Sequence, residues 1–174
     1  MAYAFVESRI MAKQAITSII STSAAVPVGT IVRAKDPTLG EGEFIYLPTT
    51  ASVTVSNITS FRQVLSGAYT NVRTVSGTAS GQPIAVAMAT GQASCFGWFQ
   101  ISGTANILKT AVIISANKPV FVSATAGRVK ALSSAGRGII GMVCNGRGNA
   151  AGSAASATLS TCVCTFNRPA QIAV

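Results

Sequence analysis

Along residues 84–89 the chain alternates large and small apolar side chains. In an extended strand Ile84, Val86 and Met88 share one face and Ala85, Ala87 and Ala89 the other. The large residues can fill a core while the small ones let a second layer approach closely. Similar runs recur: "TIVRA" (30–34), "GEFIYL" (42–47), "SVTVS" (52–56), "CFGWFQISG" (95–103), "AVIIS" (111–115), "PVFVSA" (119–124), "RVKAL" (128–132), "GIIGMVC" (138–144) and "TLSTCVCTF" (158–166). Each is rich in β-branched or aromatic residues and bounded by Gly, Pro, Asn, Ser or Thr. "VFVSATAGRVKAL" predicts a hairpin turning through Thr125, Ala126 and Gly127. No segment past residue 27 keeps a helical period over about 11 residues. The pattern predicts one all-β domain over residues 27–174, a small antiparallel β-barrel or sandwich. Two stretches of small residues, "SGTASGQ" (76–82) and "NGRGNAAGSAASA" (145–157), predict exposed loops, the second able to move.

Residues 1–26 follow a different pattern. Ala12, Ala15, Ile16 and Ile19 have helical spacing but stand among β-branched neighbours, so helix and strand compete. The segment lacks Gly and is closed by Pro27. It predicts an N-terminal arm packed on the domain or on a neighbour; a first strand or helix of the same domain is the alternative. Glu7, Arg9 and Lys13 interrupt the place where a secretion signal would be apolar. No run approaches the ~18–20 apolar residues of a membrane helix. A soluble chain, made and used without export, is expected.

Charge sharpens this picture. Charged residues are 10% of the 174, against about 25% in ordinary domains. Residues 1–43 balance four bases with four acids: Glu7, Asp36, Glu41 and Glu43. Residues 44–174 carry nine bases and no acid, which gives the net charge of +9. A surface of this kind attracts an anionic partner. The bases come singly, without the Lys/Arg runs of nucleic-acid patches.

Reactive chemistry is sparse. The chain has no His, the commonest general base and metal ligand. "AKDPTLGEGE" gathers Asp36, Glu41 and Glu43 but lacks the alternating Asp/Asn ligands of a calcium loop, and it reads as a polar turn entering a strand. "GRGIIG" (136–141) matches a dinucleotide fingerprint in letters only, because strand and loop follow it and no acid lies downstream. "NIT" (57–59) fits a glycosylation sequon, which matters only in a secreted eukaryotic protein. Cys162 and Cys164 share a strand face about 6.6 Å apart, badly aimed for bonding each other. With Cys95 and Cys144 they lack the paired C-x2-4-C spacing of a zinc site, so all four read as buried apolar thiols. In "CFGWFQIS" Trp98 predicts a core strand whose indole N–H finds one hydrogen bond, with a base-stacking platform as the alternative. Neither catalytic residues nor a metal or cofactor site are expected, and an enzyme is the last of the functional classes.

"GTIVRAKDPTLGEGEFIYLP", "GQPIAVAMATGQASCFGWFQISGTA" and "PVFVSATAGRVKALSSAGRGIIGMV", with a final strand ending in "NRPAQIAV", resemble head decoration (cement) proteins of tailed bacteriophages. The resemblance covers residues 28–174 and rests on turns and strands. It implies a β-tulip-like domain, made in the host cytoplasm, that binds the outer surface of an assembled capsid and staples neighbouring major capsid subunits. It also implies a homotrimer, arms reaching onto neighbours and no catalytic residues. Expected partners are the major capsid protein and further copies of the chain, not a membrane or nucleic acid. The candidate contacts are Asp36, Glu41, Glu43, Arg128, Lys130, Arg137 and Arg147, with the acids facing a base on another copy. A basic nucleic-acid-binding β-domain and a self-assembling coat or fibre subunit are the alternative functions.

Overall fold

A computed structural model describes residues 4–5, 14–21, 23–64, 68–73, 81–131, 137–147, 150–151 and 160–172. Among them the regular elements are all strands: β1 (Ala4–Phe5), β2 (Ile19–Ser21), β3 (Ile31–Asp36), β4 (Gly40–Pro48), β5 (Ile58–Gln63), β6 (Tyr69–Arg73), β7 (Ile84–Ala87), β8 (Cys95–Leu108), β9 (Lys118–Val122), β10 (Val129–Lys130), β11 (Gly138–Arg147), β12 (Ala150–Ala151) and β13 (Thr161–Ile172). They join in one curled antiparallel sheet whose main path runs β1-β3-β4-β8-β13-β11-β9-β10.

β8 organises the sheet. Its 14 residues bond to β4 along one edge, from Phe96↔Pro48 to Ser102↔Glu43. The other edge is shared in succession by β2 (Cys95–Gly97), β7 (Phe99–Gln100) and β13 (Ser102–Leu108). Successive side chains of a strand point to opposite faces, so β8 also feeds three apolar clusters. Trp98 packs with Ile16, Val32, Phe44, Tyr46 and Met88. Phe99 and Ile101 pack with Ile45, Leu47, Val53, Ala85 and Ala87. Ala105 and Ile107 enter the largest cluster, with Ile84, Val86, Ile114, Met142 and Phe166 among its members. Gly103 makes the crossing possible: it sits at φ +109, and a Cβ there would lie 2.5 Å from the Glu41 carbonyl oxygen.

The expected alternation of β7 is present and serves both layers. Ile84 and Val86 belong to the largest cluster, while Ala85 and Ala87 lie against Phe99 and Leu47. The β9–β10 hairpin also forms as expected, with Val129↔Val122 and Lys130↔Phe121 paired. Its turn is held from outside by Asn57, whose Nδ2 donates to the Gly127 carbonyl at 3.2 Å. Asn57 is therefore a buried structural residue, not an exposed acceptor.

Two expected strands are loops. "SVTVS" keeps only the isolated bridge Val53↔Gly91. The Asn57 Oδ1 accepts the Thr54 N–H at 2.8 Å and Ser56 turns to φ +70, so local bonding replaces a ladder. "AVIIS" wraps around Lys109, whose Nζ donates to the carbonyls of Val112 at 2.8 Å and Thr110 at 3.2 Å. Conversely, β5 and β6 were not expected. β5 buries Thr59 and Ser60, and the Thr59 hydroxyl donates to the Ala85 carbonyl at 3.2 Å. β13 runs on past the expected end through Pro169 because β11 bulges opposite it. Gly141, at φ +72, lies where a Cβ would meet the Asn167 carbonyl at 2.9 Å. The expected loop 76–82 falls mainly outside the described residues, as do 148–149 and 152–157 of the second; residues 145–147 instead finish β11, and Ala150–Ala151 folds back on it.

The described parts of the N-terminal arm are bonded into the domain as short strands. β1 pairs with β3 and β2 with β8. Between them Gln14, 2% exposed, ties three segments together. Its Nε2 donates to the carbonyls of Ser18 (2.7 Å) and Phe96 (3.0 Å), and its Oε1 accepts from the Tyr46 hydroxyl at 2.6 Å. The Gln14 carbonyl receives the indole N–H of Trp98 at 3.2 Å, the buried bond that the sequence called for. Gln14→Ala removes the buried acceptor of the Tyr46 O–H, which then keeps only the Ala25 N–H donated to it at 3.1 Å, and removes the side-chain donor to the Phe96 carbonyl. The expected loss is about 2–4 kcal/mol of unfolding free energy, read from urea denaturation at unchanged m-value.

Candidate functional site

The acids concentrate at the β3–β4 hairpin, where strand register decides their partners. Arg33 stands directly opposite Glu43, and its Nη2 lies 3.4 Å from Glu43 Oε1. Arg168, on β13, reaches the other carboxylate oxygen at 3.2 Å. Both guanidinium side chains are more than half exposed, at 62% and 63%, so each pair contributes under about 1 kcal/mol. Glu41 is exposed on the same hairpin. Asp36 is buried and turned inward: its Oδ1 accepts the N–H groups of Thr38 and Leu39, both at 2.8 Å, and closes the hairpin turn. Of the three acids expected to face another copy, only Glu41 is fully on the surface; Glu43 has bases of its own chain, and Asp36 holds its own turn.

The candidate bases separate into a group of three and a distant fourth. Phe121 of β9 pairs with Lys130 on one side and with Gly138, next to Arg137, on the other. Arg128 precedes β10 and donates from Nη1 to the Lys109 carbonyl at 3.0 Å. Arg128, Lys130 and Arg137 thus share one end of the β10-β9-β11 edge. Arg147 ends β11, roughly 30 Å along the strand at ~3.4 Å per residue. Arg128 and Lys130 are two residues apart, and strand pairing brings Arg137 to them. Exposed aliphatics stand on the same part of the sheet, Ile140 and Val143 on either side of the β11 bulge, with Ile113 in the loop before β9.

A feature that spacing missed lies beneath this edge. Cys144 of β11 is directly opposite Cys164 of β13, and Cys162 shares the face of Cys164. All three thiols are buried, with Sγ atoms within 4.8 Å of one another, and Cys162 and Cys164 approach to 3.7 Å. Hydrogen bonds from Cys162 and then Cys164 push the Cys144 thiol below its ordinary value. The bond to Cys144 pushes Cys162 up to about 12 and Cys164 well above the usual thiol range, and burial adds to both. Lys109 is also fully buried, and loss of water pulls its ammonium below the ordinary value while the charges of Cys162 and Cys144 oppose that fall. The sequence placed these cysteines in the core. It could not show that Cys144 joins the C-x-C pair, because the meeting depends on the β11–β13 register.

A partly enclosed cleft of about 540 Å³ opens beside β7, lined by Val55, Val86, Met88, Ala105 and Asn106 among others. None of the described residues that line it is titratable. Among the described residues no helix is long and apolar enough to cross a membrane. No family model, curated protein or solved structure matches the chain.

Thiol chemistry distinguishes the four cysteines. Cys95 is half-exposed and the other three are buried. A chromogenic disulfide reagent is expected to modify one thiol rapidly in the native protein and all four in denaturant; Cys95→Ser should remove the fast phase. Glu43→Gln should change unfolding free energy by less than about 1 kcal/mol, since its partners remain solvated.

Proposed function

We propose that the protein is a structural virion component that binds the outer surface of a phage capsid and cements contacts between major capsid subunits. The observation that carries this reading is the distribution of charge on an all-β domain. The described acids are confined to the β3–β4 hairpin, where Glu43 is already paired and Asp36 is buried. The described bases outnumber these acids and continue along β9, β10 and β11. A basic face accelerates docking onto an anionic shell and favours one orientation. Many copies on a symmetric shell turn modest single contacts into stable binding.

Exposed Ile140 and Val143 add apolar area along β11, and interfaces of this kind combine apolar centres with charged rims. The sequence resemblance to decoration proteins points to the same role and supplies the homotrimer as its oligomeric form. The charged edge β10-β9-β11 is the surface assigned to the capsid, through Lys130 and Arg137.

Sedimentation with shells of the parent particle tests the assignment. The full-length protein is expected to pellet with shells and to saturate. Lys130→Glu combined with Arg137→Glu should weaken binding about tenfold at low salt and less at high salt, with the melting temperature checked in parallel. Failure of the wild-type protein to pellet at any salt would end the proposal. Steeply salt-dependent binding to duplex DNA, without shell binding, would favour the nucleic-acid function instead.

A further inference from the structure

The three buried thiols of β11 and β13 are arranged as a ligand set. Three sulfurs around one metal ion, each about 2.3 Å from it, lie about 4 Å from one another. The Sγ atoms of Cys144, Cys162 and Cys164 are all within 4.8 Å of one another, and one pair stands at 3.7 Å. Closing the set around an ion therefore needs side-chain shifts of a few tenths of an ångström and no backbone rearrangement. The three come from two adjacent strands of the central sheet, which fixes their mutual positions more firmly than a loop would.

Ligand number and polarity narrow the ion. The cluster contains three sulfurs and no carboxylate, and the chain has no imidazole to add. Structural zinc is almost always four-coordinate, and the buried side chains clustered with the thiols include Ile107, Met142 and Phe166. A soft cation content with three sulfurs suits this site better, and thiolates select such ions. The buried Lys109 contributes a positive charge that acts on Cys162 and Cys144 and offsets the excess negative charge of a thiolate set. The β11–β13 ladder also shifts register between Cys144 and Gly146, beside the cluster.

We propose that Cys144, Cys162 and Cys164 form a three-sulfur binding site for a soft thiophilic cation, with Cu(I) the ion it fits best. Each coordinating thiol releases its proton to solvent as the metal–sulfur bond forms, and no electron is transferred. The bound ion ties β11 to β13 and stabilises the folded state by mass action. This proposal stands apart from the capsid function and would survive its failure.

Anaerobic titration of the reduced full-length protein with Cu(I), against a competing Cu(I) chelator, is the test. One equivalent should be retained, with an ultraviolet thiolate-to-copper band and a higher melting temperature. X-ray absorption of the loaded wild-type protein should count three sulfur neighbours. Cys162→Ala with Cys164→Ala should abolish retention, whereas Cys95→Ser should leave it intact. Zn²⁺, lacking a fourth ligand, should bind more weakly than Cu(I). Any of four results would overturn the site: no copper held against the chelator, two or fewer sulfur neighbours, retention that survives the double alanine change, or zinc bound more tightly than copper. The sulfur count on native protein decides the matter even if the double variant does not fold.

Discussion

The backbone of β8 has to be hydrogen-bonded along both edges while it crosses the interior, and much of the molecule is a consequence. A strand buried at both edges cannot leave N–H and C=O groups to water, so each stretch needs a neighbour. β4 satisfies one edge from Phe96 to Ser102, and β2, β7 and β13 share the other. This arrangement places the described end of the arm, the small-residue strand and the C-terminal strand around one line. It also explains why both faces of β4 and β7 are apolar: each lies between two clusters. Fully burying one such side chain contributes about 1.5–3 kcal/mol, more than the exposed ion pairs at Glu43 can. The fold is held by the ladder and its apolar faces.

Scarcity of charge has a structural side as well as a functional one. A domain with so few acids cannot neutralise its bases internally, and the register of β3 on β4 uses Glu43 for Arg33 while the bulged end of β13 brings Arg168. Asp36 is consumed by its turn. Among the described residues the bases therefore outnumber the acids that could pair with them.

Buried polar groups mark the places where the chain leaves regular structure. Lys109 turns the carbonyls of Thr110 and Val112 inward. Asn57 pins two loops at once, and Gln14 sews the arm to β4 and β8. In each case a side chain supplies the hydrogen bonds that a ladder would otherwise supply, at a site where an unmet bond is costly. β-propensity could not reveal them, because the competing bond comes from a residue outside the run (Asn57) or just before it (Lys109). The same reason hid β5: its buried Thr59 and Ser60 look like loop residues until the Ala85 carbonyl is placed beside them.

Legible in the residues alone were the all-β class, the alternating faces of β7, the β9–β10 hairpin, the core position of Trp98 and the scarcity of acids. These follow from local periodicity, turn residues and composition, which act over a few residues and need no knowledge of neighbours. Tertiary structure decided which edge each strand occupies, that Arg128, Lys130 and Arg137 converge while Arg147 does not, and that Asp36 turns inward. It alone brought Cys144 to Cys162 and Cys164. Those facts depend on pairings between residues far apart in the chain, and a shift of one residue in the β11–β13 register would send Cys144 to the opposite face.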